Sequence, residues 1–273
     1  MVALKFVPLA ALLLGLIVLV SCNDSDEDEK RPNRPSGTAQ SANQKPGEKP
    51  DADEGEEGEE GPATPAAVAD EKAAPQQTAG KQFAYNFDND TSGQMPAKFH
   101  SAKTGGGAQE KWVVTADPTA PSKPNVVAQT STDQTDYRFP LLIADGGSFQ
   151  DLDVSVKFKA VSGSIDRAGG LVFRLKDPNN YYIVRANALE NNSRLYHVVN
   201  GRRSQFAGAN LKVTSCEWHE LKVEVVGNKI TCYYDGNKKI EATDETFKDA
   251  GKMGLWTKAD SVTYFDDLKV TAK

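Results

Sequence analysis

Short runs of alternating apolar and polar residues recur from Lys81 to the end of the chain. Glycine, asparagine, aspartate and proline separate these runs, and no long segment has the 3.6-residue period of a helix. The runs predict strands near QFAYNF, KWVVT, NVVAQT, YRFPLLI, DLDVSVKFKA, GLVFRLK, YYIVRAN, RLYHVV, HELKVEVVG, KITCYYD, KKIEA, KMGLW and VTYFDDLKV. So many strands in residues 81–273 predict an all-β domain, a two-sheet antiparallel jelly-roll sandwich.

The run GLVFRLKDPNNYYIVRAN predicts a hairpin that turns at residues 177–180. If Lys176 pairs with Tyr181, then Arg174 lies opposite Ile183. Alternation along both strands then sorts their side chains onto two sides of the sheet. The core side would hold Leu171, Phe173, Leu175, Tyr182, Val184 and Ala186. The other, mixed side would hold Val172, Arg174, Lys176, Tyr181, Ile183 and Arg185.

A second hairpin is predicted to turn at Gly227-Asn228, with Val226 paired to Lys229. This register places Cys232 on the core side and leaves Cys216 far along the sheet. A disulfide requires its two Cα atoms to lie within about 7 Å. We therefore expect Cys216 and Cys232 not to be bonded to each other, and Cys232 to act as a small buried apolar residue.

The first 21 residues have the pattern of an export signal, with Lys5 before an apolar run too short for a confident membrane span. The run ends in LVSC, which resembles the lipobox of bacterial lipoproteins. That resemblance implies cleavage before Cys22 and acyl chains on Cys22, and two or more such chains anchor a protein stably. The alternative is an ordinary cleaved signal in which Cys22 has no role. Asn23 after the cysteine favours the outer membrane of a Gram-negative-type cell envelope over the inner one.

Residues 22–80 are predicted to form a disordered acidic tether. From residue 23 onward this segment has 15 Asp and Glu against 6 Lys and Arg, 7 prolines, and no aromatic residue. Such a composition buries too little apolar surface to offset the loss of chain entropy on folding. The whole chain carries −6, the tether carries −9 and the signal +1, so residues 81–273 carry only +2. This near-neutral domain does not favour nucleic-acid binding.

The sequence contains no motif that is typical of enzymes that require a cofactor. The three histidines, His100, His197 and His219, do not have metal-ligand spacing, and there is no nucleophile elbow, P-loop or dinucleotide fingerprint. Glycoside hydrolysis would use two carboxyl groups about 5–9 Å apart. We interpret Asp151 and Asp153 as strand-entry residues, and Glu220 and Glu224 as solvent-facing residues. The weak catalytic candidates are the loop residues Asp166, Asp177 and Glu190.

Two groups of polar residues are candidate binding sites. Asp88 and Asp90 follow the first strand, and Asp266 and Asp267 lie in the last, so the two ends of the domain would bring carboxylates together. A structural Ca²⁺ would relieve their repulsion. The alternative is that these aspartates only cap turns.

The second group offers fixed hydrogen-bond donors and flat rings, as sugar-binding sites do. The alternative is an exposed sheet face that is covered by the stems of arginine side chains. Its members are Arg174, Tyr181, Arg185, Asn187, Arg194, Arg202 and Trp256.

Five stretches together resemble a concanavalin A-like lectin/glucanase domain over residues 82–271. They are YNFDNDTSGQMPAKF, AGGLVFRLKDPNNYYIVRANALENNSRLYHVVNGRR, WHELKV, YDGNK and GKMGLWTKADSVTYFDDLKV. They are similar to the bacterial group called DUF1080, or 3-keto-disaccharide hydrolase. The resemblance implies two curved sheets with the glycan on the concave one, to which the mixed hairpin side would belong. Family 16 glucanases of that superfamily carry E-x-D-x-(x)-E, whereas the closest stretch here, Asp151–Lys157, has no glutamate.

We therefore expect a monomeric, membrane-anchored surface lipoprotein whose sandwich binds a carbohydrate. One alternative is a glycoside hydrolase that acts on 3-keto-disaccharides or related glycosides through a loop carboxylate. The other is a structural cell-envelope module without a ligand.

Overall fold

The computed structural model describes Cys22 and residues 80–273. All regular elements in this part are strands, and none is a helix long and apolar enough to cross a membrane. The first eight are β1 (Gln82–Tyr85), β2 (Phe99–Gly105), β3 (Trp112–Ala116), β4 (Asn125–Gln129), β5 (Arg138–Ala144), β6 (Leu152–Ser162), β7 (Ala168–Asp177) and β8 (Asn180–Asn187). The rest are β9 (Asn192–Val199), β10 (Arg202–Asn210), β11 (Trp218–Val226), β12 (Lys229–Tyr234), β13 (Asn237–Thr243), β14 (Lys252–Trp256) and β15 (Val262–Ala272). The predicted signal and residues 23–79 of the predicted tether lie outside the described residues.

The strands form two antiparallel sheets, which confirms the predicted sandwich. The eight-stranded sheet has the order β13-β12-β11-β6-β15-β4-β3, with β1 paired to β15 as well. The seven-stranded sheet has the order β10-β9-β8-β7-β14-β5-β2. Neither β2 nor β10 was among the predicted strands, and these two are the edges of the seven-stranded sheet.

The core lies between the two sheets and follows the alternation of the strands. On β6, Val154, Val156 and Phe158 are at most 1% exposed, and the residues between them are less buried. The seven-stranded sheet contributes residues such as Phe173 and Tyr182, whose rings stack 5.3 Å apart. Each such side chain contributes about 1.5–3 kcal/mol when it is fully removed from water.

A second apolar layer covers the other face of the seven-stranded sheet. We call it the outer cluster, and Trp256 and Phe139 stack at its centre with ring centroids 5.4 Å apart. The buried members are Phe139, Leu141, Ile143, Ala168, Val172, Leu175, Tyr181, Ile183, Tyr196, Val198 and Trp256. Most of the mixed side of the predicted hairpin is therefore buried, and it does not form an open groove for a ligand.

The β7–β8 hairpin has a different register from the predicted one. Phe173 pairs with Tyr182, and a bulge separates this pair from the turn. Arg174 lies in the bulge with a φ of 45°, so its side chain leaves the face that carries Arg185. Arg185 lies opposite Gly170 instead of Val172. A Cβ at Gly170 would come within 2.8 Å of the Val184 carbonyl oxygen, so only glycine permits this close pairing.

The second hairpin has the predicted register, with Val226 opposite Lys229 and Val223 opposite Cys232. Cys232 is a free, buried thiol, and burial raises its pKa well above the usual range. The prediction that Cys216 and Cys232 are not bonded to each other is confirmed. Cys216 forms a disulfide with Cys22 instead. A sulfur in that bond cannot also carry a thioether-linked lipid, so the disulfide and acylation of the Cys22 sulfur exclude each other.

The disulfide makes a prediction for chain that is produced without acylation. After oxidation and proteolysis under non-reducing conditions, we expect a peptide pair joined through Cys22 and Cys216, because both sulfurs meet in the fold. Cys232 should stay a free thiol that alkylates only after unfolding. Mass spectrometry checks both statements, and a Cys216–Cys232 linkage would contradict them.

Candidate functional site

Polar side chains, most of them buried, gather at the end of β8 beside the outer cluster. We call this group the polar cluster. It is supplied by β8, β9, the β6–β7 loop, the β8–β9 loop and the loop after β14. Its members are Asp166, Arg185, Asn187, Glu190, Asn192, Tyr196 and Lys258.

Arg185 is the centre of the polar cluster and is only 5% exposed. Its Nη2 donates to Glu190 Oε2 at 2.7 Å and to the Tyr196 hydroxyl at 3.0 Å. Its Nη1 donates to Asn192 Oδ1. The buried Nε has no hydrogen-bond partner among the described residues. A buried guanidinium donor without a partner is uncommon, because leaving it unpaired costs free energy.

Asp166 lies almost completely buried beside Arg185, with 1% of its surface exposed. Its Oδ1 accepts a hydrogen bond from Asn187 Nδ2 at 3.1 Å, and its Oδ2 lies 3.3 Å from Lys258 Nζ. Lys258 also contacts Asp136 at 2.5 Å. Burial raises the pKa of Asp166 above its usual value, although the charges of Lys258 and Arg185 act in the opposite direction.

Glu190 is the second carboxylate of the polar cluster and has the opposite pKa shift. Burial alone would raise its pKa, but the charge of Arg185 and the hydrogen bonds from Asn192 and Arg185 lower it overall. Glu190 is also more accessible, with 47% of its side chain exposed. The site therefore contains one carboxyl group whose pKa is raised and one whose pKa is lowered.

Backbone hydrogen bonds hold both carboxylates in place. The Asp260 carboxylate accepts the N–H groups of Ser164, Ile165 and Asp166 at 2.7–3.1 Å, which fixes the loop that carries Asp166. Asn187 Oδ1 accepts the N–H groups of Leu189 and Glu190 at 2.8 and 3.2 Å. Asn187, a predicted ligand residue, therefore positions Glu190 and is itself 1% exposed.

Arg203 on β10 borders the polar cluster and was not among the predicted residues. Its guanidinium lies 4.6 Å from the ring centroids of Phe139 and Tyr196 and 5.7 Å from that of Trp256. The same Tyr196 ring lies 5.7 Å from the guanidinium of Arg185. Two arginines therefore share one aromatic ring.

Tyr181 and Trp256 lie on the predicted face but are fully buried. The Tyr181 hydroxyl pairs with Thr104 Oγ1 at 2.8 Å, and burial raises the pKa of Tyr181 well above its usual range. Neither ring has a free face for a sugar to stack on. Trp256 packs against the Arg203 guanidinium instead.

The position of Arg174 in the bulge contradicts the prediction that its side chain shares a face with Tyr181 and Arg185. It is 2% exposed, and its donors bond the carbonyl oxygens of Gln150, Phe247 and Gly227 at 2.6–2.8 Å. A cavity of about 230 Å³ lies beside it, but these bonds commit the guanidinium to the protein. Arg174 is therefore a structural residue, because the bulge turns it toward loops that join the sheets.

The remaining predicted residues lie outside the polar cluster. Arg194 donates to the Ala209 carbonyl at 2.9 Å and to Asn210 Oδ1 at 2.8 Å, which ties β9 to β10. Arg202 is exposed at the start of β10. Asp177 accepts the Asn179 N–H at 2.7 Å and caps the β7–β8 turn. Of the three catalytic candidates, the structure brings Asp166 and Glu190 together and leaves Asp177 apart.

The four aspartates proposed for a cation approach each other only in part. Asp266 is fully buried and accepts the N–H of Ser122 at 2.8 Å, and Asp88 accepts the N–H of Asn125 at 3.0 Å. Asp90 caps a loop through the N–H of Ala97, and Asp267 accepts the Ser122 hydroxyl. Across Cys22 and residues 80–273, no group of three or more His, Cys, Asp or Glu could hold a metal ion. The Ca²⁺ site stays a prediction.

We expect Asp266 to give the domain an unusual pH dependence of stability. Burial, with repulsion from Asp267 and Asp88, raises its pKa to about 6, from 3.8. The folded state therefore binds the proton more tightly than the unfolded state, and stability falls as the pH rises from about 4 to 6. The loss in the free energy of unfolding is about 2–3 kcal/mol.

Urea unfolding at pH 4–8 should show this fall in stability in the wild type and not in Asp266→Asn. Parallel curves for the two proteins would contradict the prediction. Bound Ca²⁺ would reduce the fall, so added Ca²⁺ tests the predicted cation site.

Comparison with known proteins identifies a family and a fold. Residues 89–271 match the model of the family described as 3-keto-alpha-glucoside-1,2-lyase-like domain. A comparison with curated proteins finds no match. Among solved structures, carbohydrate binding module CBM66 from Bacillus subtilis is 19% identical, with a TM-score of 0.52, over 67% of this chain and 99% of that chain. Its likeness supports the sandwich fold.

Two further solved structures are similar at lower TM-scores. The Ca²⁺/Man-bound exoplasmic/lumenal domain of VIP36 is 11% identical, with a TM-score of 0.49, over 70% of this chain and 89% of that chain. Domain 4 of AbnA, a GH43 extracellular arabinanase from Geobacillus stearothermophilus in complex with arabinotriose, is 16% identical. It has a TM-score of 0.45 and covers 71% of this chain and 94% of that chain.

Proposed function

Because the chain belongs to the family of 3-keto-alpha-glucoside-1,2-lyase-like domains, we propose that its sandwich binds a carbohydrate at the polar cluster. The observation that carries the proposal is the composition of this site. Donors of Arg185 and Lys258 and acceptors of Glu190 and Asp166 converge at one end of a sheet. The resemblance of the fold to a carbohydrate binding module is consistent with this function.

The surroundings of the polar cluster suit a sugar ring. Ile165 and Leu189, on the loops that carry Asp166 and Glu190, are 45% and 43% exposed. These loops are joined by a hydrogen bond from the Ala188 N–H to the Arg167 carbonyl. Apolar side chains beside convergent polar groups are the usual composition of a ligand site. We expect an affinity of about mM to µM, or roughly −4 to −8 kcal/mol.

A titration of the full chain with a panel of mono- and disaccharides tests the proposal. Glu190→Gln removes a charged acceptor from the exposed rim of the cluster, and we expect it to weaken sugar binding about tenfold, or about 1.4 kcal/mol. Glu220→Gln, on the other sheet, is the matched control and should bind like the wild type. Equal loss in both variants, or no binding of any sugar, would contradict the proposal.

A second candidate function is cleavage of a 3-keto glycoside, favoured by the opposite pKa shifts of Asp166 and Glu190. Two carboxyl groups in such contrasting states are the usual arrangement for paired acid and base chemistry. In a 1,2-elimination, a base takes the proton from C2, which the 3-keto group acidifies. The C1–O bond breaks, and an acid protonates the departing oxygen. Glu190 would be the base and Asp166 the acid, and no oxidant is consumed.

Turnover separates this second function from binding alone. Incubation of the full chain with a 3-keto disaccharide should release an unsaturated keto sugar, and Glu190→Gln and Asp166→Asn should each lower the rate at least 100-fold. Binding of the keto disaccharide without release of product would leave the binding function and exclude the lyase.

We also propose that the chain is attached to a membrane through acyl chains on Cys22. The export signal and LVSC pattern support acylation of Cys22 and a place in the bacterial cell envelope, with Asn23 favouring the outer membrane. Acylation of the Cys22 sulfur requires it to be free of Cys216. Chain purified from membranes should therefore carry the lipid mass on Cys22 and a free Cys216 thiol, whereas a Cys22–Cys216 linkage there would contradict anchoring through this sulfur.

A further inference from the structure

Arg203 is a partly exposed arginine that has no counterion among the residues that the structure describes. Its backbone N–H donates to the Tyr137 hydroxyl at 2.9 Å. Its guanidinium makes no ion pair or side-chain hydrogen bond within Cys22 and residues 80–273, and its Nη1 is buried without a partner. The position is thus unlike those of Arg174 and Arg138, whose donors bond carbonyl or hydroxyl oxygens. Each of those two also has a carboxylate beside it, Asp151 at 3.2 Å and Asp133 at 3.9 Å.

Aromatic rings hold the Arg203 guanidinium in place. The rings of Phe139, Tyr196 and Trp256 surround it at 4.6–5.7 Å. Cation–π contacts stabilise the charge, but a ring face does not replace the in-plane hydrogen bonds of a guanidinium. Because Phe139 and Trp256 are fully buried, the rings are rigid. The guanidinium is therefore fixed in position, while its N–H donors have no acceptor among the described side chains.

The neighbouring cations already have acidic partners. Arg185 is paired with Glu190, and Lys258 is paired with Asp166 and Asp136. No acidic side chain in residues 80–273 pairs with Arg203, and Arg202 adds a further positive charge next to it in the chain. A neutral sugar would satisfy the hydrogen bonds of the polar cluster but would not provide a counterion for Arg203.

We propose that Arg203 binds the carboxylate of an acidic sugar, whose ring lies toward the polar cluster. The inference rests on the proposed carbohydrate site and names its ligand class. A guanidinium fork matches a carboxylate in two parallel hydrogen bonds, and the shared Tyr196 ring connects Arg203 to Arg185. Arg203 is then the residue that selects acidic over neutral sugars.

The test compares matched sugars on the full chain by isothermal titration calorimetry. The probes are a glucuronate-containing disaccharide, its glucose counterpart, and the same disaccharide bearing a 6-sulfate or 6-phosphate. We expect the carboxylate sugar to bind the wild type at least tenfold more tightly than the neutral one. Arg203→Met, which keeps the apolar contacts, should abolish that preference.

Arg202→Met is the matched control, because it removes the same charge from the adjacent, exposed position. It should keep the preference within about twofold. Equal binding of the acidic and neutral sugars, or tighter binding of the sulfate or phosphate, would overturn the carboxylate assignment while leaving the sugar site intact. Equal effects of the two variants would overturn the role of Arg203. Absence of binding by every sugar would overturn the site itself, and the wild-type comparison holds even if Arg203→Met does not fold.

Discussion

Replacing Arg174 with methionine is expected to lower the free energy of unfolding by about 3–5 kcal/mol. The guanidinium is 2% exposed and bonds three main-chain carbonyls and, at 3.2 Å, the Asp151 carboxylate. Methionine fills much of the volume but leaves those carbonyls buried without donors, and each orphaned group costs about 1–3 kcal/mol. Chemical denaturation followed by tryptophan fluorescence measures the change.

Arg202→Met provides the control for this prediction. Arg202 is exposed, so its replacement should alter stability by no more than about 0.5 kcal/mol. A loss below about 1 kcal/mol for Arg174→Met would show that Arg174 is not a structural residue. It would then be available to line the neighbouring cavity as a ligand group.

The second large effect is expected at Trp256, which is fully buried in the outer cluster. Its truncation to alanine should destabilise the domain by about 3–5 kcal/mol, because the large apolar contact is lost and a cavity remains. The stacked Phe139 and the guanidinium of Arg203 lose their support at the same time. Thermal or denaturant unfolding gives the value directly.

Tyr137→Ala is the matched control for Trp256→Ala. Tyr137 also packs on Phe139, with ring centroids 4.7 Å apart, but it is 44% exposed. Its truncation should therefore cost far less than that of Trp256. A small loss for Trp256→Ala would mean that the outer face of the seven-stranded sheet is an accessible surface, and the tryptophan would again be a candidate for sugar stacking.

The strands that sequence reasoning missed have a common physical cause. β2 and β10 are the edges of the seven-stranded sheet and bury fewer residues than the central strands. FHSAKTG and RRSQFAGAN consequently lack a clear apolar alternation. Central strands such as β6 and β11 bury one full face, and their patterns predicted both the strands and the β11–β12 register.

The predicted placement of Arg174 was wrong because it depended on a bulge. The bulge shifts the pairing of β7 with β8 by two residues without a sequence signal, and it moved Arg174 out of the face that keeps Tyr181 and Arg185. Alternation also does not distinguish an open face from one that is covered, so the burial of Tyr181 and Trp256 was not predictable. Lys258 and Asp260 join Asp166 from more than 90 residues away, a contact that only the tertiary fold creates.

The central claim is that a sugar binds at the polar cluster, and a crystal structure of the full chain with a bound disaccharide tests it most directly. The account predicts sugar oxygens within hydrogen-bond distance of Arg185 or Glu190, on the outer face of the seven-stranded sheet. A sugar bound on the eight-stranded sheet, or at the cavity beside Arg174 with the polar cluster vacant, would contradict it.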